Sequence, residues 1–342
     1  MAVKLIGIDL AKNVFQLCAI NVAGKVMVNR QVKRHRLIAE VRKHPEVTIA
    51  MEACFSAHHW ARTFQSMGHR VLLIPPQHVK PFVRVHKSDA RDALAICEAA
   101  QRPGLHFVPV KSIEQQDLQV LHRIRQRYSR QRTQLANQLR SLAAEYGVYF
   151  SKSLNSLRRE LALSLEDAEN GLSPVAREAL AAMAEEIREL DKKVEATKNK
   201  LVGLAERSEA WKRLQSIPGY GPVVAAAVLA AAGSGQQFGN GREFAAWLGL
   251  VPRQNGTGGH VQLLGITKNG DRNLRTLLIH GARAVVRWCP NRNDALARWV
   301  LDIKQRRGHN KAVVALANKC ARIAWAVLTG KQPFAMEKAF AA

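Results

Sequence analysis

Four carboxylates stand where their types and spacing could do chemistry. Asp9 closes the apolar run of GIDLAKN, Glu52 closes the run in IAMEAC, and Asp89 and Asp92 lie three apart in HKSDARDALAICEAA. On a helix that spacing turns both aspartates to one side. Acidic groups gathered at strand ends repel one another unless a cation neutralises them, and oxygen donors with no Cys or His among them suit Mg²⁺ or Mn²⁺. Two such ions side by side clamp the attacking and leaving oxygens of a phosphate ester, so the set points to phosphoryl transfer. Taken singly, the same residues read as turn and cap groups, with Ser88 capping the helix that Asp89 opens. Their joint order, strand-end Asp, strand-end Glu, then DxxD on a helix, favours the metal-binding reading.

A second constellation runs from Pro252 to Asn273, PRQNGTGGHVQLLGITKNGDRN. It holds five glycines, with Arg253, Lys268 and Arg272 against the single acid Asp271, and Arg275 follows. This reads as a basic loop whose Gly258 and Gly259 free the backbone to approach a nucleic acid; a merely solvated loop is the alternative. Upstream, SIPGYGPVVAAAVLAAAG places Gly219 and Gly221 before a small-residue helix. That pattern resembles a helix-hairpin-helix, which offers backbone N–H groups to a phosphate without reading bases. A tight turn into a closely packed alanine helix fits the same residues.

Charge names the kind of partner. In 342 residues there are 52 Lys+Arg against 27 Asp+Glu, a net charge of +25. Residues 211–342 hold 19 basic and 5 acidic side chains, 19 − 5 = +14 of that total, so the C-terminal part is the expected phosphate-facing surface. Arg283, Arg287, Arg298, Arg306, Arg307 and Lys311 extend it. Aromatics are only 6 %, so backbone contacts should outweigh stacking on bases. Five cysteines, at 18, 54, 97, 289 and 320, form no CxxC pair and read as reduced buried thiols of a cytosolic protein. No apolar run is expected to span a membrane, and Asp9 interrupts the one near the N-terminus.

The elements that must position these groups follow from periodicity. A three-stranded meander is expected over Val3–Ile8, Phe15–Ile20 and Lys25–Arg30. A helix near Leu37–Lys43, a strand Val47–Met51, a helix Ala57–Met67 and a strand Val71–Ile74 then complete an α/β sheet with helices on its faces. Ser112–Val148 reads as one Arg-rich helix with Leu118, Leu121, Tyr128, Leu135, Leu139 and Leu142 on a common seam. Pro174–Arg207 reads as a second, whose Met183, Ile187, Leu190, Val194, Leu201 and Leu204 follow coiled-coil steps interrupted at Thr197. That pattern suits both an intramolecular hairpin and self-association. Phe244, Trp247, Leu248 and Leu250 pack a short helix, and Ile279–Trp288 and Val313–Leu328 read as closing helices. The boundaries are 1–110 for a catalytic α/β domain, 111–210 for a helical coiled-coil region and 211–342 for a basic, mainly helical domain carrying the glycine-rich loop.

GIDLAK with MEAC and KSDARDA, then FAAWLGLVPRQN, TGG and LLGITKNGDRNLRTLLIHGARA, resembles the transposases of the insertion sequence 110 family, 1111 subgroup, over nearly the whole chain. These are bridge-RNA-guided DEDD recombinases. The resemblance implies an RNase H-like (RuvC-like) N-terminal domain in which Asp9, Glu52, Asp89 and Asp92 form a Mg²⁺-binding tetrad. It also implies donor and target DNA and a structured non-coding guide RNA as partners, a homodimer assembling to a tetramer, and action in the cytoplasm at the nucleoid. Relatives carry a serine immediately before TGG or SGG as covalent nucleophile, a position that is Gly256 here. Glycine cannot attack phosphorus. Either the loop has lost its nucleophile, or the correspondence shifts by one and Thr257 is the attacking group. A hydrolytic nuclease of the Holliday-junction-resolvase class and a catalytically silent nucleic-acid-binding protein are the alternatives.

Overall fold

The computed structural model describes residues 2–83 and 88–340, and the chain divides into two compact units, Met1–Ser112 and Ile113–Ala342. Lys87, in the KSDARDA motif, lies outside the described residues.

Unit 1 is a mixed α/β sheet. Strands β1 (Val3–Asp9), β2 (Val14–Asn21) and β3 (Val26–Lys33) form the antiparallel meander, followed by α1 (Leu37–Arg42), β4 (Thr48–Glu52), α2 (Ala57–Ser66), β5 (Arg70–Ile74), the short α3 (Pro76–Val79) and α4 (Asp89–Ala100). The strand order is β3-β2-β1-β4-β5, with β4 and β5 parallel to β1. Alternation along the strands makes two cores. Ile6, Ile8, Phe15, Leu17, Ile49 and Met51 face α1 and α2, where Trp60 and Phe64 stack. Leu5, Cys18, Ile20 and Ala50 face α4, meeting Ile96 and Cys97. Gly7 lies on this second face, and a Cβ there would come within 2.6 Å of the Ala93 carbonyl and the Cys97 sulfur. Its missing side chain is what lets α4 lie directly on β1.

Unit 2 begins with α5 (Ile113–Ala144), α6 (Leu154–Glu166) and α7 (Pro174–Ala205). The far end of this arm has its own core, in which Ala136, Leu139 and Ala143 of α5 meet Leu157 and Leu161 of α6 and Leu180 and Ile187 of α7. Asp191 ties the three helices together, 2.8 Å from Arg132 and paired also with Arg158. On the α7 seam Ile187, Leu190, Val194 and Leu201 are buried within the chain itself. Thr197 is tolerated there because its hydroxyl donates to the Lys193 carbonyl. One expectation needs correction here: Leu142 is 44 % exposed, since α5 turns Leu139 and Ala143 inward instead. Helix α6 is an element that the periodicity did not indicate.

The root of the arm enters a larger core. Leu118, Leu201 and Ala205 join α8 (Glu209–Leu214), α9 (Pro222–Ala232), α10 (Gly241–Trp247), α11 (Arg272–Trp288), α12 (Ala295–Arg307), α13 (His309–Gly330) and the terminal α14 (Met336–Ala339). Between α10 and α11 stand β6 (Pro252–Thr257) and β7 (His260–Ile266). Helix α13 corrects the reading that no segment reaches membrane-spanning length: by length and composition it does, while half of it is buried, with Val313, Leu316, Ala317 and Ala324 in this core.

Candidate functional site

In unit 1, topology assembles what the sequence scattered over more than eighty residues. β1 and β4 run parallel with Ile8 opposite Met51, so the next residues, Asp9 and Glu52, leave the sheet side by side. Helix α4 brings Asp89 and Asp92 in its first turn. One carboxylate oxygen from each of Asp9, Asp89 and Asp92 lies within 4.8 Å of the others, with Asp9 and Asp92 half-buried and Asp89 exposed. Glu52 stands outside that group of three. Its charge still reaches the same place: burial, then Glu52 and Asp9, pushes the Cys54 thiol up to about 11. Ser88 takes the N-cap position of α4 but makes no side-chain cap; its carbonyl accepts from Arg91 and Asp92.

Two positioning residues escaped the sequence reading. Gln16, directly opposite Asp9 on β2, is buried and donates from Nε2 to Asn29 Oδ1 at 2.6 Å. Asn29 on β3 in turn donates to the Ala90 carbonyl at 3.0 Å. This relay fastens the first turn of α4 to the sheet, and with it Asp89 and Asp92. The available signal is an amide inside the apolar run VFQLCAI.

In unit 2, Pro252–Asn273 is not the irregular loop expected. β6 and β7 pair as an antiparallel ribbon, with Gly256 opposite Val261 and Thr257 opposite His260. Gly258 (φ 58°) and Gly259 (φ 84°) form the two-residue turn, so this pair is required by the hairpin's twist. Gly256 has no such constraint. A Cβ there would meet the His260 carbonyl at 3.5 Å and Val261 at 3.6 Å, ordinary contacts that leave room for a serine. Thr257, one residue on, faces the other side of the ribbon.

The ribbon itself is exposed except at Ile266, whereas its base is clamped. Gly249 and Gly270 allow the chain on either side of it to close, each leaving under 2.5 Å between a would-be Cβ and the opposite backbone. Arg275 corrects another expectation. It is buried, and its Nη1 donates to the carbonyls of Asn269 (2.6 Å) and Leu248 (3.2 Å), so it locks the hairpin base and offers no charge to a phosphate. Arg253, Lys268 and Arg272 are exposed.

The Gly219 turn packs against α11. A Cβ on Gly281 would fall 2.1 Å from the Gly219 oxygen, which supports the tight-turn reading for Gly219 (φ 85°). Gly221 differs: it is the N-cap of α9, and a Cβ on it would meet nothing within 4 Å. A basic cavity of about 570 Å³ lies elsewhere in unit 2, lined by His280, Arg283, Arg287, Lys304 and His309. Arg306, by contrast, is paired with Asp302, and Arg298 donates to the Asn293 carbonyl.

Comparison with known proteins decides what these two constellations belong to. The model for IS110-type DEDD transposases matches residues 6–147, and that of the transposase IS116/IS110/IS902 family matches residues 211–297. A probable family 20 transposase of Pseudomonas aeruginosa is 47 % identical over 96 % of this chain and 98 % of its own. The chain belongs to the IS110 family of transposases. The transposase for insertion sequence element IS1111A of Coxiella burnetii is 43 % identical over 97 % of this chain and 91 % of its own. A putative transposase of Sinorhizobium fredii is 39 % identical over 96 % and 85 %. This transposase is therefore a DNA-recombining enzyme. The family implies a divalent metal and a DNA substrate, and the cluster at Asp9, Asp89 and Asp92 is the candidate place for the metal.

Proposed function

We propose that this transposase cuts and exchanges DNA strands through a metal site of Asp9, Glu52, Asp89 and Asp92 combined with a nucleophile carried by the β6–β7 hairpin. The observation that carries the reading is the convergence of three aspartate oxygens within 4.8 Å. Oxygens bound to one hard cation at roughly 2.0–2.6 Å lie no farther apart than about 5 Å, so the donor set and its span both fit Mg²⁺ or Mn²⁺. Asp9, Asp89 and Asp92 would hold such a cation, which would supply charge neutralisation at the reacting phosphate. The strand order of unit 1 supports an RNase H-like, RuvC-like fold, in which Gln16 and Asn29 hold the aspartates of α4 in place.

The hairpin's task in this reading is to present a hydroxyl. Gly256 has none, and Thr257 projects from the opposite face. We take 256 as the position of the family's serine nucleophile, with Thr257 the alternative attacking group. Arg253, Lys268, Arg272, the Gly221 end of α9, Gly258 and Gly259 are proposed to meet the nucleic acid, and the helix-hairpin-helix reading attaches to Gly221 more than to Gly219. The resemblance extends the proposal to a structured non-coding RNA as guide. It extends it further to a homodimer formed through the helical region 111–210 and assembling to a tetramer on DNA, acting at the nucleoid in the cytoplasm. Because the α7 seam is buried internally, a coiled coil between copies would use other faces of the arm, where Tyr149, Leu163 and Val175 are exposed.

The missing hydroxyl favours a second reading, hydrolysis by water at the carboxylate site alone. The two are separated by a strand-cleavage assay on the element's junction DNA with Mg²⁺ and its adjacent non-coding RNA, comparing this chain with Gly256→Ser. A covalent protein–DNA adduct with strand exchange only in the serine form supports recombination through position 256. An adduct in both, lost with Thr257→Ala, moves the nucleophile to Thr257. Equal cutting without adduct, abolished by Asp9→Ala, leaves the metal-dependent nuclease.

A further inference from the structure

Beside the hairpin lies a groove that neither the carboxylates nor the nucleophile position explains. Two adjoining cavities, of about 400 and 380 Å³, run along α5 past the end of α9 and the first turn of α11, and both are lined by His122, Gln126, Arg130 and Asn273. His122 is 7 % exposed, and its Nε2 has no hydrogen-bond partner. Burial, then Arg125, lowers His122 to about 4 against the Ala226 backbone, which raises it, so the imidazole is neutral. A neutral imidazole keeps one nitrogen as an acceptor, and Nε2 is buried and unpartnered on a ring that lines both cavities. A buried acceptor without a donor is costly, and at functional sites it marks the place of a ligand.

The rest of the lining states which ligand. Arg123, Arg130 and Arg272 supply positive charge at the rim. The one acid there, Asp271, is engaged as N-cap of α11, accepting from the backbone N–H groups of Asn273 and Leu274. The wall opposite α5 is the small apolar surface of Ala227, Ala230 and Ala231, and the amides of Gln126 and Asn273 stand between wall and rim. Cationic rim, flat apolar wall, amides and a lone acceptor match in turn the phosphate, ring face and edge of a nucleotide. Bases inside a duplex cannot reach a buried acceptor, so the nucleotide must be out of the stack. Strand cleavage creates such nucleotides, and only residues 267–270 separate the hairpin from the groove.

We propose that this groove receives one unpaired nucleotide of the DNA substrate, its phosphate on Arg123, Arg130 and Arg272 and a base N–H donating to His122 Nε2. The inference requires only that the chain handles DNA, and it is read by binding, so it stands apart from the metal and nucleophile proposals.

The test is fluorescence anisotropy of the full chain with a labelled duplex carrying one bulged cytosine. The same duplex fully paired, with an abasic bulge, and as the bulged RNA version are the comparisons. The chain should bind the cytosine bulge about fivefold more tightly than the abasic or paired duplex, the worth of one buried hydrogen bond. His122→Leu should erase that preference, and Arg130→Ala with Arg272→Ala should weaken all DNA duplexes alike and flatten the salt dependence. Should His122→Leu melt early, Gln126→Ala, on a half-buried side chain, is read in its place, with a reduced preference expected. Equal affinity for the three DNA duplexes, a preference that survives the folded variant, or a preference confined to the RNA version would overturn the proposal.

Discussion

The carboxylate end of unit 1 and the hairpin of unit 2 are built on opposite principles. Asp9, Glu52, Asp89 and Asp92 sit on strand ends and a helix whose backs are packed into two cores, and α4 is drawn onto β1 by a glycine and an amide relay. The β6–β7 ribbon has no core behind it; Val261 and Leu263 are 64 % and 62 % exposed, and only its base is clamped. One site is ordered by the fold. The other would gain its order from what it binds, which suits the nucleophile position proposed for it.

The contrast breaks most sharply at Asp9. In the Gly256→Ser background, taken as parent, Asp9→Asn should lower Mg²⁺-dependent strand cleavage roughly 10³-fold, the scale on which removing a charge-stabilising group acts. The melting temperature should hold or rise, because one of three crowded carboxylates has lost its charge. Cleavage kinetics and a thermal melt on one preparation decide it; an Asp9→Asn protein that still cuts at the parent rate removes the carboxylates from the chemistry.

Steric tests come next. Gly281→Ala puts a Cβ against the Gly219 oxygen and should destabilise unit 2 by about 3 kcal/mol in urea unfolding. Gly7→Ala drives α4 away from β1 and should cost about 1–3 kcal/mol. It should also weaken Mn²⁺ binding by titration, since Asp89 and Asp92 move with α4. Unchanged Mn²⁺ affinity in a destabilised Gly7→Ala protein would mean the aspartates of α4 are not ligands.

These positions show why the two sites were unequally legible in sequence. Strand-end carboxylates announce themselves, because the apolar run fixes the strand and its end fixes the residue; Asp9 and Glu52 close β1 and β4 as expected. The hairpin was misread because five glycines outweighed a weak alternation in which Val261, Leu263 and Gly265 share a face with nothing to bury it. Arg275 looked like its exposed neighbours, since burial of one arginine by two backbone carbonyls is decided by Leu248, twenty-seven residues away. The Gln16–Asn29–Ala90 relay was hidden for the same reason: it joins three elements, and no local pattern encodes that.

Acid should strain both units by the same mechanism and so separate fold stability from site chemistry. His58, half-buried and then disfavoured by Lys111 and Arg62, is lowered to about 4, as His122 is in unit 2. His58 Nδ1 accepts from the Lys111 N–H at 3.2 Å, a role only the neutral ring can play. The folded values lie below the unfolded 6.5, so as pH falls the unfolded chain takes up protons first. Stability that is full above about pH 6.5 is lost toward pH 4, on the order of 2 kcal/mol per histidine. His58→Asn should roughly halve the pH dependence of urea unfolding across that window, and an unchanged slope would mean other groups carry it.

The smallest expected effect sharpens the comparison most. Gly256→Ala adds a methyl that meets only ordinary contacts, on a ribbon with no core, so the unfolding free energy should change by no more than about 0.5 kcal/mol. Ribbon amides from Gln254 to Gly265 should exchange their hydrogens fast in the free protein, although the ladder pairs them, while β1 and β4 amides stay protected. On binding junction DNA the order should change in one place only: the ribbon amides slow and the β1 and β4 amides do not. Ribbon amides already protected in the free chain would show that the hairpin is held by something other than the nucleic acid, and the division between a site ordered by the fold and one ordered by its substrate would fall.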